Sequence, residues 1–410
     1  MTLSEELTWR GFVNQTTLSD LSQLNDNPTT FYTGYDASDD SLTIGNLAVL
    51  MMNKCFIRHG YQAVILAGGA TSLIGDPGGK DTERQLQSTD AITANVQAVQ
   101  RQIEKLFGDK IKIVNNLDWF SKMNALEFLR DVGKHFSMTP LVQRDYIAKR
   151  MGGSGAGISY TEFSYTLLQG YDFLCLYQDH GVTLQLAGAD QWGNGLSGVD
   201  LVRRVAGQEV HVLTCPLIVD KATGKKFGKS EGGAVWLDPA KTSPYKFYQF
   251  WLNADDEGVE SYLKIFTELD KPAIDRVIKE FQADRGGRVA QKTLAYEATK
   301  LVHGQAQADN VKRASEVLFG AGQFLELKED EVVVLRQELP VVSAEADLAK
   351  TLVKAGLAQS NTEATRFIGS GAIYINGKKV LPESGSDSHF QKGSNLLKKG
   401  KNSFAVVEVG

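Results

Sequence analysis

Short strand-like segments alternating with helical ones are the feature that most narrows the fold of this 410-residue chain. Residues 29–35 are rich in Thr and aromatics and read as a strand. After the loop 36–42, Leu47, Leu50, Met51 and Cys55 stand at i, i+3, i+4 and i+8, one face of a helix. Residues 62–67 form a second strand that runs into a Gly-rich turn at 68–80, and 111–115 and 182–186 read as a third and a fourth. Such alternation implies an α/β fold whose parallel sheet is covered on both faces. Ligands of these sheets sit at the carboxyl ends of the strands, which directs attention to the loops at Asp36, Gly68, Asn116 and Gly188.

A chain of this length exceeds what one core holds and suits two or three domains. Its 42% hydrophobic and 23% charged residues are those of an ordinary globular protein. Apolar runs such as 63–67 fall far short of the roughly 20 residues that span a bilayer. Met1-Thr2-Leu3-Ser4-Glu5-Glu6 has neither the basic nor the apolar region of a signal peptide, so a cytoplasmic protein with no membrane partner is expected. Cys55, Cys175 and Cys215 are widely spaced, without Cys-x-x-Cys, and read as reduced thiols. Six histidines form no ligand-like cluster, and no metal site is expected.

From 242 to about 327 the chain reads as helical, with Ser243-Pro244 a good helix start. Residues 329–344, with a Val run and Pro340, read as a connector. Two short helices follow at 348–355 and 362–368, the first stopped by Gly356. Residues 372–375 and 378–380 flank Asn376-Gly377, the chemistry of a type I′ hairpin turn. The divisions expected are 1–230, 231–328, a linker at 329–342, and 343–410. Net charge is −5, yet 341–410 carries nine Lys/Arg and six Asp/Glu, leaving −8 for the rest. A basic tail on an acidic body suits a polyanionic partner, and equally a solvated charged face.

Three nucleotide-binding patterns fail. Gly228-Lys229-Ser230 would need a glycine at 223, where Thr223 stands, and Gly79-Lys80 would need one at Ile74. Gly153, Gly155 and Gly157 are followed by Ile158 where a dinucleotide fingerprint wants its third glycine. What remains is a strand leading into 34–46, with Thr43-Ile44-Gly45-Asn46 at a helix start, and far downstream Lys226-Phe227-Gly228-Lys229-Ser230. A helix amino terminus attracts phosphate, Gly45 lets a flat ring approach the backbone, and two lysines on a Gly loop suit a triphosphate. Tyr165, Gln169 and Asp172, at i, i+4 and i+7, share one helix face opposite Leu167, Leu168, Tyr171 and Leu174.

In these segments the chain resembles the class I aminoacyl-tRNA synthetases, whose His-Ile-Gly-His and Lys-Met-Ser-Lys-Ser signatures the two segments vary. Thr43 and Asn46 stand where that family has histidines. Further segments resemble the bacterial tyrosyl branch: Phe31-Tyr32-Thr33-Gly34-Tyr35-Asp36, Gly75-Asp76-Pro77, Gln169-Gly170-Tyr171-Asp172 and Gly188-Ala189-Asp190-Gln191-Trp192-Gly193-Asn194. The resemblance implies a Rossmann-like parallel-sheet catalytic domain, an α-helical domain, and a small α+β domain like the S4 RNA-binding unit. It implies L-tyrosine, ATP with Mg2+, and tRNA(Tyr) as substrates, no tightly bound cofactor, and a homodimer, for which helix 128–133 is a candidate interface.

Roles follow from the resemblance. Tyr32 and Asp172 grip the substrate hydroxyl. Asp76, Tyr165 and Gln169 hold the amino group, with Gln185 and Gln191 nearby. Gly34, Asp36, Ser38, Gly45, Gly188, Asp190 and Lys229 hold ATP. Thr43, Asn46, Lys226, Lys229 and Ser230 serve catalysis, and Arg366, Lys378 and Lys379 meet tRNA. Two other readings stay open: a tryptophanyl-type synthetase, which Asp172 and Tyr32 disfavour, and a catalytically weakened RNA-binding relative, which Thr43 favours.

Overall fold

The computed structural model describes residues 1–78, 86–152, 157–219, 229–230, 233–320, 322–380 and 390–410. They form two compact units, one of Met1–Thr242 with Ala254–Leu294, the other of Ser243–Asn253 with Ala295–Gly410.

The first unit is built on six strands: β1 (Gln15–Thr16), β2 (Thr30–Tyr35), β3 (Gln62–Ala67), β4 (Ile111–Asn115), β5 (Val182–Gly188) and β6 (His211–Cys215). Their order is β1-β6-β5-β2-β3-β4, and all pairs are parallel except β1 with β6. Ala63 to Ala67 of β3 are all buried, as a strand packed on both faces requires. The chain builds β2, β3 and β4 towards one edge, then returns to lay β5 on the other side of β2. The order therefore reverses between β2 and β5, and the loops leaving these two strands part there. β1 and β6 were not legible as strands, and β5 runs two residues beyond the expected Leu186.

Helix α1 (Leu3–Arg10) opens the chain, and α2 (Ile44–Arg58) joins β2 to β3 with Thr43 at its N-cap. Leu47, Leu50, Met51 and Cys55 are buried as their spacing predicts. α3 (Thr89–Phe107) leads to β4. α4 (Tyr160–His180) is capped by Ser159, whose hydroxyl accepts from the Glu162 N–H, and ends at Gly181 with φ +63°. α5 (Trp192–Ala206) packs closely on α4 through glycine: a Cβ on Gly198 would fall 2.7 Å from Phe173 Cδ1, and one on Gly170 would fall 3.5 Å from the Ser197 backbone carbonyl carbon.

In the second unit Ser243 caps helix Pro244–Leu252 as the sequence predicts. The segment expected to be a connector differs. Glu329–Glu338 is a helix, its first turn closed by the Lys328 N–H donating to Glu331 Oε2, with Val332 and Leu335 buried at i and i+3. Burial of that face outweighs the weak helix preference of the Val run. Then come β9 (Val341–Ser343), β10 (Ile373–Ile375), β11 (Lys378–Lys379), β12 (Gly393–Lys399) and β13 (Ser403–Val409), ordered β11-β10-β12-β13-β9. Asn376 and Gly377 have φ of +49° and +81°, the signs a type I′ turn demands. Helices Leu348–Lys354 and Asn361–Gly369 pack on this sheet through Leu352 and Ala364.

All three cysteines are buried and unpaired. Among the described residues no helix is long and apolar enough to cross a membrane, and no group of three His, Cys, Asp or Glu is placed to hold a metal.

Gly198→Ala should force Phe173, which is fully buried, out of its position between α4 and α5. A loss of about 1–3 kcal/mol in urea unfolding is expected, the usual cost of overpacking a core. An unchanged midpoint would mean that the helix pair can slide apart freely.

Candidate active site

A cavity of about 780 Å³ opens where the strand order reverses. Strand β2 contributes Tyr32 and Gly34, the loop after it Asp36 and Ser38, and the start of α2 Thr43, Gly45 and Asn46. Asp76 enters from the Gly-rich turn, and Tyr165, Gln169 and Asp172 from α4. Gln185 and Gly188 of β5 line it with Asp190 and Gln191, which follow that strand. Two glycines let these loops close up: a Cβ on Gly68 would fall 2.3 Å from Asp36 Oδ1, and one on Gly69 the same distance from Asn115 Oδ1.

One end of the cavity is buried and polar. Asp172 is 1% exposed and accepts hydrogen bonds from Asn116 Nδ2 at 3.1 Å and Trp119 Nε1 at 2.9 Å. Tyr32, 1% exposed, stands edge-on to Phe173 with ring centroids 5.0 Å apart. The Tyr32 hydroxyl, Gln169 Oε1 and Gln185 Oε1 are buried without hydrogen-bond partners among the described residues. Leaving such groups unmatched is costly, so a polar ligand that pairs them would recover that energy. The sequence placed Asn116 in an informative loop but gave neither it nor Trp119 a role. A side-chain partner two elements away leaves no periodic trace.

Carboxylates dominate the middle. Asp36 accepts from Tyr165 Oη at 2.8 Å and from Thr71 Oγ1 at 2.7 Å, and Asn116 Nδ2 donates to Thr71 Oγ1 at 3.1 Å. Burial first, and then the Asp36 charge, push the Tyr165 hydroxyl well above its ordinary value, keeping it a donor. Asp76 accepts the Gly78 N–H at 2.8 Å and Gln191 Nε2 at 2.6 Å. With Asp172 and Asp190 these make four carboxylates around one cavity, a lining that favours a cationic group.

The other end is a helix terminus. Asn46 Oδ1 accepts both the N–H and the hydroxyl of Thr43 at 2.9 Å, which turns the Asn46 amide N–H groups outward as donors. Residues 42–44 also pair with 235–237: the Ile44 N–H donates to Val235 O at 3.1 Å, the Leu237 N–H to Leu42 O at 2.8 Å, and Thr43 bridges Trp236. Just upstream, β7 (Lys229–Ser230) and β8 (Gly233–Ala234) form a hairpin, and Ala234 lines the cavity. Backbone thus stitches the first signature segment to residues 235–237, far away in sequence and just beyond the β7–β8 pair. Lys226 lies outside the described residues, as do the side chains of Lys229 and Ser230. Lys241 pairs with Asp39 and Asp40 and lies 4.5 Å over the Trp236 ring. Sequence reading missed Trp236 and Lys241. Arg366 is exposed on helix Asn361–Gly369, and Lys378 and Lys379 are exposed on β11; all three belong to the second unit.

The family described as tRNA synthetases class I (W and Y) matches residues 24–320, and the Tyrosine–tRNA ligase SYY-like C-terminal domain matches 331–407. A tyrosine–tRNA ligase of Lactococcus lactis is 44% identical over 391 residues, covering 93% of this chain and 92% of the relative. Tyrosine–tRNA ligase 2 of Bacillus thuringiensis is 42% identical over the whole of both chains. Among solved structures, a C-terminally truncated mitochondrial tyrosyl-tRNA synthetase of Aspergillus nidulans shares 30% identity with a TM-score of 0.70, covering 78% of this chain and 94% of that one. The chain belongs to the class I tRNA synthetases, and within them to the tyrosine–tRNA ligase family.

Burial pushes the Asp172 carboxyl up to about 7, against the downward pull of Asn116 and Trp119. In the unfolded chain the same group would titrate near 3.8, so between those values the folded protein holds the extra proton. Stability from this group is full below about pH 4 and is lost as pH rises through 7. The unfolding free energy of Asp172→Asn, relative to the parent chain, should therefore improve from pH 4 to pH 8 by up to about 4 kcal/mol. Urea unfolding across that range measures it, and a constant difference would remove the titration from this window.

Proposed function

We propose that this chain activates L-tyrosine with ATP, forming tyrosyl-adenylate and pyrophosphate, and then transfers tyrosine to the 3′ end of tRNA(Tyr). The buried end of the cavity carries the reading: the Tyr32 hydroxyl and the Asp172 carboxylate together match a phenol hydroxyl, which both donates and accepts, whereas a donor-only indole N–H would leave the Tyr32 hydroxyl without an acceptor and a bare ring would match neither. Asp76, Tyr165 and Gln169, with Gln185 and Gln191, take the ammonium group among the carboxylates. Asp36, Ser38, Gly34, Gly45, Gly188 and Asp190 take ATP, whose triphosphate points to the amino terminus of α2.

The substrate carboxylate is ionised at neutral pH and attacks the α-phosphate in line, so no general base is required. Positioning and electrostatic stabilisation supply the rate. Asn46 donates from the helix terminus, Thr43 fixes its amide, and Lys226, Lys229 and Ser230 offset charge on the leaving pyrophosphate. Mg2+ arrives with ATP as part of that substrate. No residue becomes covalently attached.

Arg366, Lys378 and Lys379 meet tRNA phosphates. A homodimer is supported by the apolar exposure beside 128–133, where Leu126 is 78% and Leu129 48% exposed on either side of Phe128. Three buried unpaired thiols support a cytoplasmic setting.

Pyrophosphate exchange tests the reading: it should proceed with tyrosine and not with tryptophan or without amino acid. Tyr32→Phe should weaken the preference for tyrosine over phenylalanine roughly 10- to 100-fold, the worth of one buried hydrogen bond. Exchange driven equally by tryptophan, or an unchanged preference in the variant, would sink it.

Replacing Arg366, Lys378 and Lys379 together by alanine should leave tyrosine-dependent exchange intact while weakening tRNA binding. The slope of log affinity against log salt should fall by about two to three. Equal loss of exchange and charging would discard phosphate contact as their role.

A further inference from the structure

Arg144 precedes helix Asp145–Met151 and lies over Gly193, where a Cβ would meet its Cδ and Nε at 3.6 Å. Its Nη2 donates to Ser197 Oγ at 2.6 Å and its Nη1 to Thr166 Oγ1 at 2.9 Å. Thr166 Oγ1 donates in turn to Asn194 Oδ1 at 2.5 Å, Asn194 Nδ2 to Gln191 Oε1 at 3.1 Å, and Gln191 Nε2 to Asp76 Oδ2 at 2.6 Å. Thr166, Asn194 and Ser197 are all buried. An unbroken chain thus runs from the Arg144 guanidinium, which does not line the cavity, to a carboxylate that does.

Its direction is not arbitrary. Amides turn over easily, since their oxygen and nitrogen ends have the same shape, and a hydroxyl can point either way. A guanidinium cannot accept a hydrogen bond at all. The chain therefore runs between fixed ends, the donor-only Arg144 guanidinium and the acceptor-only Asp76 carboxylate, and the directions observed satisfy both: Thr166 donates to Asn194 Oδ1, Asn194 Nδ2 to Gln191 Oε1, and Gln191 Nε2 to Asp76. Reversed, the chain would set the Gln191 carbonyl oxygen against that carboxylate.

We propose that Arg144 is a positioning residue for amino-group recognition: as the donor-only end of the chain it holds Thr166, Asn194 and Gln191 in the one order that aims the Gln191 N–H at Asp76, keeping that carboxylate an oriented acceptor for the substrate ammonium. The proposal rests on the reading of Asp76 as the ammonium partner. Arg144 touches neither substrate nor reacting atoms.

The test uses the full-length protein and equilibrium binding of three ligands: tyrosine, tyramine, and 3-(4-hydroxyphenyl)propanoate, which lacks the amino group. Arg144→Met, and Thr166→Val, which breaks the chain without changing shape, should weaken tyrosine and tyramine roughly 10-fold or more. They should leave the deamino acid and the ATP affinity nearly unchanged, with the melting temperature lowered by a few degrees at most, the cost of the broken buried hydrogen bonds. Arg144→Lys, still donor-only, should restore most of the loss, whereas Arg144→Gln, able to accept, should not. Asp76→Asn is the reference for the underlying reading. If it weakens tyrosine while Thr166→Val does not, the chain has no such role and the ammonium reading stands. If Asp76→Asn leaves tyrosine binding intact, the ammonium reading falls and the proposal with it. Equal weakening of all three ligands and of ATP, with early melting, would make Arg144 a structural residue only.

Discussion

Side by side at the centre of the sheet, β2 and β5 send the chain away over opposite faces, and no connection bridges their carboxyl ends. That gap is a topological necessity of the order β1-β6-β5-β2-β3-β4, and the rest of the site depends on it. Tyr32, Gly34 and Asp36 come off one strand and Gln185, Gly188 and Asp190 off the other, so the two walls of the cavity are set by strand register, in which Tyr32 stands beside Gln185. The helix that follows β2 delivers its amino terminus to the same opening. A buried polar pocket and a helix amino terminus are then two ends of one gap.

Filling that gap with four carboxylates works against the empty protein. Asp172 has N–H donors from Asn116 and Trp119 but no cation in hydrogen-bond reach among the described residues, and buried oxygens of Tyr32, Gln169 and Gln185 stand unmatched. Cores that are purely apolar avoid such arrangements. Here the energy withheld from folding is available on binding, to a ligand that brings a hydroxyl to one end and a cation to the middle. The closely packed glycines of α4 and α5 hold that arrangement steady against relaxation.

Much of this was legible in the chain. β3 and β4 carry strand-length runs with clear ends, α2 shows a regular apolar face, and Asn376-Gly377 states its turn outright. The cavity residues from Tyr32 to Gln191 could be named because resemblance grouped segments that local pattern could not. What stayed hidden shares a cause. β1 is two residues long and gains its identity from pairing with β6; Glu329–Glu338 is helical because of what Val332 and Leu335 pack on; Asn116, Trp119, Trp236 and Arg144 act through partners distant in sequence. Such residues are defined by their neighbours, and neighbours across a fold are invisible to periodicity.

The pairing of 42–44 with 235–237 is made entirely of main-chain groups, two hydrogen bonds around the Thr43–Trp236 bridge. A joint of this kind is indifferent to side-chain identity and intolerant only of lost N–H groups or altered backbone direction. The side chain at 43 is therefore decoupled from the seam it sits in. A chain built this way can exchange the side chain at 43 while the hairpin beyond keeps its register, which separates tuning of the cavity mouth from maintenance of the backbone that holds it.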